Sequence, residues 1–459
     1  MEAKQLIFIG MTFAFIPCAV SLGVLFRWAE RALVVGALLS TAYLVDINFV
    51  SMELYRGDTR GFEIGVTDWM VISLILVMGL SPRWKTRSLE LFPPNSSMIL
   101  LYFGLAVVSL VVAYVPVYSG FGLLKLLRAF AVYWVVYNYL RDDQDLRFIL
   151  YVFAGIVAME FLFVLQQKLG GTYRARGTTP HSNTLSVYIN MLTMVFFAFL
   201  LGDRRKRFLP LYLFCSGAGA LMVVATFSRG ALVSMVLGFG LVVVLSFYDR
   251  MSERKIKMLC ILALLSIPLM VKVTPAVIER FLEAPEASGE SRNLANEAAL
   301  AMANVHFFGV GLNNYSHVIN ETRYVNLIDD PVDRGIVHNV YLLHASEMGW
   351  LGLLVFVVMI GNFFRIGIQV VRKRRNNEIS MMAIGILAAM FVLWFQSLLE
   401  WLFRQTYITV EFFMLAGMLA ALPRIDGAMR KAARKKKRRN LLKTWLIWQS
   451  VNRSRKVAA

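Results

Sequence analysis

The length, composition and charge of the chain are typical of a helical membrane protein with many spans. Its 459 residues are 58% hydrophobic, the mean hydropathy is +0.61, and apolar runs of about 20 residues recur along it, which excludes a water-soluble globular protein. The net charge of +19 does not indicate a nucleic-acid partner. The basic residues lie in short tracts between apolar runs and in the C-terminal tail, as in cytoplasmic loops that face anionic lipid.

Thirteen apolar runs are candidate membrane spans. They lie at 6–25, 31–50, 67–81, 98–116, 121–140, 147–167, 184–201, 208–227, 230–248, 257–272, 347–371, 379–397 and 405–422. One early run is a candidate half-span or interfacial segment. We therefore predict an all-α polytopic bundle of about 12 transmembrane helices, and no signal peptide, because the first run is followed by charged residues instead of a small-residue cleavage site.

The basic tracts predict the orientation of these spans. They occur at 83–87, 204–207, 254–257, 372–375 and 434–439. Short loops rich in lysine and arginine remain in the cytoplasm, so the connections between them, including 51–66, 168–183, 273–346 and 398–404, are predicted to lie outside. The predicted organisation is transmembrane helices over 1–272, an external loop domain over 273–346, C-terminal transmembrane helices over 347–422 and a basic cytoplasmic tail over 423–459.

The long connection 273–346 is too polar to lie in hydrocarbon, where unsatisfied backbone groups are costly. Residues 291–303 read as a helix capped by Ser291 and ended by Gly309 and Gly311, which predicts a helical lid. In the tail, the basic run is followed by apolar and Trp residues at 441–448. This pattern predicts an amphipathic helix on the membrane surface, with a disordered, solvated tail as the alternative.

Three arginines beside apolar runs are candidate ligand-binding residues. Arg229 lies in a tight connection between two runs, Arg176 in the connection 168–183, and Arg292 near the start of the lid helix. Ionisable residues at membrane spans are costly, and a guanidinium group binds phosphate through two hydrogen bonds. If these arginines converge, they can bind a diphosphate. The alternative is that each reaches to lipid head groups or pairs with a nearby carboxylate.

His338 is the candidate catalytic base, because it lies shortly before a span and near the predicted arginines. A neutral imidazole accepts a proton from a hydroxyl group, and neighbouring arginines favour this neutral form. A purely structural role is the alternative. The other histidines are His181, His306, His317 and His344, of which His344 is predicted to be a packing residue.

No metal or cofactor site is predicted. The three cysteines, Cys18, Cys215 and Cys260, lie in apolar runs, where a thiol usually acts as a small hydrophobic group. Phosphate-binding loops of the Walker A type, His-Glu-x-x-His and Cys-x-x-Cys are all missing from the sequence. The aspartates at 329, 330 and 333 are oxygen ligands of the kind that a divalent cation prefers, but a solvated turn around Pro331 is the preferred interpretation.

Four groups of residues, in this order, resemble the O-antigen ligase and polymerase superfamily of bacterial envelope glycosyltransferases. They are 176–183, 227–231, 291–292 with 308–315, and 338–342 with 347–353. The resemblance implies metal-independent transfer of a glycan from an undecaprenyl-diphosphate-linked donor to an acceptor hydroxyl, on the periplasmic side of the bacterial inner membrane. It implies that His338 is the general base and that Arg176 and Arg229 bind the diphosphate, while Arg292 matches a less certain position.

The leading interpretation is an O-antigen ligase, in which the acceptor is the lipid A core. A polymerase, whose acceptor is another glycan, is the alternative within the same superfamily. A transporter of lipid-linked glycans is the alternative from another class, since arginines also line transport pathways. A non-catalytic assembly subunit is the third alternative.

Overall fold

A computed structural model describes residues 3–52, 55–85, 88–282, 286–328, 330–331, 334–374 and 376–457. Within these residues, the chain forms sixteen α-helices and one two-stranded sheet. The helices are α1 Ala3–Leu25, α2 Arg27–Ala42, α3 Val66–Leu80, α4 Pro82–Lys85, α5 Ser96–Val111, α6 Pro116–Tyr139, α7 Asp143–Leu169, α8 Ser182–Gly202, α9 Leu209–Ala225, α10 Arg229–Asp249, α11 Glu253–Leu282, α12 Glu286–Val305, α13 Tyr315–Glu321, α14 Val340–Val371, α15 Glu378–Gln396 and α16 Thr406–Val457. The predicted helical membrane bundle is confirmed.

Nine helices in the described ranges are long and apolar enough to cross a membrane: α1, α6 to α10 and α14 to α16. Helices α3 and α5 are equally apolar but have only 15 and 16 residues. The two remaining predicted runs coincide with α2 and α11. All thirteen runs therefore overlap helices, while the number of about 12 spans stays a prediction.

Helices α8, α15 and α16 form the centre of the bundle. The apolar stretch of α8 is 100% buried, whereas that of α10 is 33% buried and that of α1 17%, so the latter two lie at the periphery. Gly385 of α15 permits close packing, because a Cβ atom there would lie 2.6 Å from Val195 Cα of α8. Small residues let membrane helices approach in this way. The functional residues described below lie at the ends of these central helices.

The bundle has two ends of different character. We call the end that carries residues 306–328 and 334–339 the site face. Helices α8, α10, α14 and α16 begin at this face, and α7, α9 and α15 end there. The basic tracts after α8, α10 and α14 lie at the opposite end, where Arg147 Nε is 2.8 Å from a carboxylate oxygen of Glu378. The basic tracts and the site face thus lie at opposite ends of the bundle, which agrees with the predicted orientation.

A β-hairpin replaces part of a predicted span. Strands β1 Asp46–Ser51 and β2 Gly61–Gly65 pair antiparallel, with Asp46 opposite Gly65. The span predicted over 31–50 was wrong at its end, because hydropathy alone does not distinguish a helix from the short β-branched and aromatic run after Ala42. Thr59 in the hairpin loop accepts a hydrogen bond of 2.8 Å from Asn313 Nδ2. The hairpin is thereby joined to the polar connection before α14.

The predicted helix over 291–303 lies inside the longer α12, so Ser291 is an internal residue and not the N-cap. The predicted glycine turn is confirmed, since Gly309 and Gly311 have positive φ angles of 78° and 102°. Whether this region acts as a lid stays a prediction. Helix α16 continues through the tail to Val457. The side chains of 441–444 and 446–448, on which the surface-helix prediction depends, lie outside the described residues.

Helix α14 is broken at Gly349, where φ is 71° and ψ is 175°. A Cβ atom at this position would lie 1.9 Å from Phe307 O, so that only glycine fits. Before the break, Ser346 O and Glu347 O accept hydrogen bonds from the backbone N–H groups of Val310 and Gly311, at 2.9 and 3.0 Å. The first two turns of α14 are therefore joined to the polar connection, and the following turns belong to the membrane bundle.

A buried ion network fixes the connection 397–405 between α15 and α16. Arg404 Nε is 2.7 Å from Asp58 Oδ2, and its Nη1 is 2.6 Å from Glu347 Oε2. Lys125 Nζ of α6 lies 2.9 Å from the same oxygen of Asp58. Burial raises the pKa of Asp58, but Arg404 and Lys125 outweigh it and lower this pKa to about 2. The pairing therefore stabilises the fold at neutral pH and is lost only as the pH falls towards this value.

We expect Arg404→Met to destabilise the protein by about 3–5 kcal/mol, the usual cost of leaving buried charges unpaired. Thermal unfolding of the purified protein in detergent measures the change. Lys257→Met is the control, since Lys257 pairs with Glu253 but their side chains are 70% and 80% exposed. It should leave the unfolding midpoint unchanged. Equal midpoints for both variants would contradict a stabilising role for the network.

Candidate active site

A cavity of about 440 Å³ opens at the site face, between the starts of α8 and α10 and the connection 397–405. Its lining contains three arginines, Arg174, Arg229 and Arg292, and a single carboxylate, Glu400. We call it the arginine cavity. Its excess of positive charge suits an anionic ligand.

Arg229 is the first residue of α10, directly after a turn in which Phe227 has a positive φ of 48°. The tight connection predicted from the sequence is thus confirmed. Within the described residues, the guanidinium group of Arg229 makes no hydrogen bond or ion pair. It lies at the N-terminus of a helix of 21 residues, where the helix dipole also favours an anion. Arg229 is therefore available to a ligand of the cavity.

The structure brings Arg174, and not Arg176, into the arginine cavity. Arg174 donates hydrogen bonds to Thr226 O at 3.0 Å and to Asn183 Oδ1 at 2.8 Å. Arg176 is exposed and does not line the cavity. Its backbone N–H donates a hydrogen bond to Gln167 Oε1 of α7 at 2.9 Å. The two arginines lie two residues apart, and the sequence does not distinguish them. The attachment of this segment to α7 determines which one lines the cavity.

His338 is paired with Glu400 at the border of the arginine cavity. Its Nδ1 atom is 2.8 Å from Glu400 Oε2, and the other oxygen of Glu400 lies 3.0 Å from Arg292 Nη2. Burial raises the pKa of Glu400, but His338 and Arg292 outweigh it, so that the pKa lies below its ordinary value. The carboxyl group is therefore ionised at neutral pH, and protonation disrupts the pairing only as the pH falls through this lowered pKa.

This pairing selects the tautomer of His338. An ionised carboxylate only accepts hydrogen bonds, so Nδ1–H must be the donor. A neutral ring then carries its lone pair on Nε2. The side chain of His338 is 39% exposed, so a substrate can reach the imidazole ring. The arrangement is that of a general base held in place by a carboxylate.

Arg292 connects helix α12 to this group. Besides its contact with Glu400, it donates a hydrogen bond from Nη1 to Leu399 O at 3.1 Å. Of the predicted site residues, Arg229 and Arg292 line one cavity with Glu400, His338 contacts Glu400, and Arg176 does not line the cavity.

The other histidines have different surroundings. His344 is buried, its Nδ1 is 2.7 Å from Val340 O, and its ring stacks on Phe356 at 3.9 Å, so the predicted packing role is confirmed. Among the histidines of the described chain, only His338 is paired with a carboxylate. Asp329 and Asp333 of the candidate cation site lie outside the described residues. Elsewhere in the described residues, no three His, Cys, Asp or Glu side chains converge as metal ligands.

Glu400 was missed in the sequence, although it carries a recognisable signal. It follows two leucines and precedes a tryptophan at the end of an apolar run, where a carboxylate is costly unless it is paired. Its partners His338 and Arg292 are 62 and 108 residues away along the chain. Local patterns therefore indicate that Glu400 needs a partner but do not identify one.

We expect Glu400→Gln to lower kcat about tenfold or more, with a smaller change in KM, because the imidazolium formed in the reaction loses its counter-charge. Glu400→Asp, which keeps the charge, should recover part of the rate. A wild-type kcat for Glu400→Gln would show that Glu400 does not act on His338.

A comparison with known protein families gives an independent result. Residues 212–357 match the model of the O-antigen ligase family, and no curated protein matches the chain. The matched stretch contains Arg229, Arg292 and His338, whereas Arg174 and Glu400 lie outside it. Residues 212–357 of this multi-pass membrane protein are therefore similar to the O-antigen ligase family, which supports a glycosyltransferase-like role in polysaccharide biosynthesis.

Proposed function

We propose that the protein transfers a glycan from an undecaprenyl-diphosphate-linked donor to a hydroxyl group of the lipid A core. The observation that supports this most directly is the pairing of His338 with Glu400 at the border of a cavity lined by arginines. A base beside an anion-binding cavity is what transfer from a diphosphate to a hydroxyl group requires.

The arginine cavity holds the diphosphate of the donor in this proposal. Arg229 has no competing partner among the described residues, and Arg174 is held by Thr226 O and Asn183. As the bond between the sugar and the diphosphate breaks, negative charge grows on the leaving oxygen, and the guanidinium groups stabilise it. Three arginines repel a metal cation, so we include no metal in the mechanism.

His338 activates the acceptor. Nε2 takes the proton of the acceptor hydroxyl while its oxygen attacks the anomeric carbon of the donor sugar. The new C–O bond forms as the bond to the diphosphate breaks, and the electron pair leaves with the diphosphate. Glu400 stabilises the resulting imidazolium, as an ion-paired carboxylate does for a catalytic histidine.

We place the protein in the bacterial inner membrane, with the site face towards the periplasm. The basic tracts after α8, α10 and α14 lie at the opposite end and support this orientation. The donor and the lipid-anchored acceptor then both reach the cavity from the membrane.

Analysis of glycans in a deletion strain tests the proposal. A ligase predicts that full-length chains accumulate on the lipid carrier and that the lipid A core remains unmodified. Accumulation of single repeat units would instead assign the protein as a polymerase. Wild-type glycans in the deletion strain would contradict both roles.

A reaction in detergent distinguishes catalysis from transport. Purified protein, lipid-linked donor and lipid A core should give product without any vesicle that separates two compartments. Since a transporter only moves its substrate across a membrane, product formation here excludes a purely translocating role. A transporter would give no product in detergent. It would support transfer in vesicles only when a separate glycosyltransferase is added.

A further inference from the structure

A second cavity, of about 390 Å³, lies at the same face and is lined by carboxylates instead of arginines. Its lining includes the carboxylates Asp46, Asp58 and Glu63 and the aromatic rings of Trp401 and Tyr407, and it contains no lysine or arginine. We call it the carboxylate cavity.

The carboxylate cavity and the arginine cavity are built from the same two segments. Glu400 lines the arginine cavity, and the next residue, Trp401, lines the carboxylate cavity. At the start of α8, Asn183 lines the former and donates a hydrogen bond of 3.0 Å to Glu400. Thr184 donates to Gln405, which lines the latter. The two cavities are therefore neighbours, and Glu400 and Trp401 lie at the boundary between them.

Several oxygen atoms of the carboxylate cavity have no hydrogen-bond donor. Asp58 Oδ1 and Asn48 Oδ1 are buried and accept no hydrogen bond within the described residues, and the side chain of Asp58 is 2% exposed. The side chain of Glu63 makes no hydrogen bond or ion pair in the described part of the chain, and burial, its largest influence, raises the pKa of its carboxyl group. Asp46 Oδ1 also lacks a hydrogen bond, although Arg128 lies 3.5 Å away. Unsatisfied buried acceptors are costly, so this cavity favours a ligand rich in donors.

The lining restricts the chemistry of this ligand. An anion finds no lysine or arginine in the lining, because Lys125, Arg404 and Arg128, which pair with Asp58 and Asp46, do not line the cavity. No three His, Cys, Asp or Glu side chains in the described ranges converge as ligands of a metal ion. A sugar ring fits both parts of the lining. Its hydroxyl groups donate to carboxylate oxygens, and its apolar face packs on an aromatic ring such as that of Trp401.

We propose that the carboxylate cavity binds an uncharged sugar unit of the acceptor glycan. This inference rests on the proposed function, in which the acceptor hydroxyl must reach His338. It adds a division of labour between the cavities: the anionic donor is attracted to the arginines, and the lining of the carboxylate cavity offers it no lysine or arginine. The donor is thereby kept out of the acceptor position, which gives the transfer its direction.

Glu63→Gln tests the acceptor site kinetically. With lipid A core purified from the deletion strain as acceptor, we expect its KM to rise about tenfold, because a hydrogen bond to a charged group is lost. The kcat and the KM of the donor should change little. Glu321→Gln is the matched control, since Glu321 lines a different cavity at the same face. An unchanged acceptor KM for Glu63→Gln, or an equal rise for both variants, would overturn the proposal.

Direct binding tests the same site without any reaction. Saturation-transfer NMR on the detergent-solubilised protein, without donor, should detect methyl glucoside, methyl galactoside or methyl N-acetylglucosaminide. It should detect glucuronate weakly or not at all. The neutral signal should fall in Glu63→Gln and persist in Glu321→Gln. No binding of any neutral glycoside, preferential binding of glucuronate, or equal binding to both variants would overturn the assignment.

The two experiments separate failure of this inference from failure of the proposed function. Neutral sugar binding that depends on Glu63, in a protein that forms no transfer product, would support the sugar site and contradict the glycosyltransferase proposal. Transfer with an acceptor KM that does not depend on Glu63 would support the glycosyltransferase proposal and contradict the sugar site.

Discussion

The His338→Ala protein is expected to lose transfer activity by a factor of about 10²–10⁴, the contribution typical of a general base. The loss should appear mainly in kcat, because the imidazole acts on the acceptor proton during bond formation. Initial rates with purified protein, lipid-linked donor and lipid A core measure it.

His317→Ala is the matched control for this variant. His317 also belongs to the polar connection before α14 but lines another cavity, beside Tyr118. Its rate should remain close to that of the wild type. Because the substitution removes one partner of the buried Glu400 carboxylate, we expect a lower thermal midpoint in detergent, and Arg292 remains to pair with Glu400 in the folded variant. A His338→Ala protein that is folded and transfers at the wild-type rate would refute the mechanism.

Arg229→Ala should reduce kcat/KM for the donor by a factor of about 10²–10³, as expected when a group that stabilises charge in the transition state is removed. Lysine should recover only part of this loss, since an ammonium group supplies a point charge without the two-point contact of a guanidinium group. Rates measured over a range of donor concentrations determine the effect.

Arg176→Ala distinguishes the geometry of the site from the role that the family resemblance implies. Arg176 is exposed and does not line the arginine cavity, so we expect its loss to have a much smaller effect than that of Arg229. Arg174→Ala should have the larger effect of the two neighbours. If Arg176→Ala is as damaging as Arg229→Ala while Arg174→Ala is not, the diphosphate is bound outside the arginine cavity.

Hydropathy predicts the bundle well because burial in lipid imposes long apolar helices. It fails where a short apolar segment is stabilised by pairing with another strand. Residues 43–50 extend an apolar run, but their β-branched and aromatic residues pair with Gly61–Gly65 as a strand. The start of α12 was also misplaced, since Ser291 is a good cap by residue type but lies inside a helix that begins at Glu286.

The candidate site was predictable only in part. His338, Arg229 and Arg292 are single charged or titratable residues beside apolar runs, which a sequence displays directly. The role of Glu400 and the choice between Arg174 and Arg176 depend on how distant segments pack. Glu400 is defined by partners on α12 and before α14, and Arg174 by the attachment of its segment to α7 and α9. Contacts between segments so far apart in the chain leave no local sequence pattern that would predict them.

The break at Gly349 has a consequence for the lipid environment of the protein. A continuous helix transmits a change of tilt along its whole length, whereas an interrupted hydrogen-bond ladder does not. Membrane helices adjust their tilt to the thickness of the bilayer. In α14, such an adjustment stops at the break, and the turns that follow His338 stay attached to the backbone of Val310 and Gly311. The position of the imidazole is thereby insulated from differences in bilayer thickness.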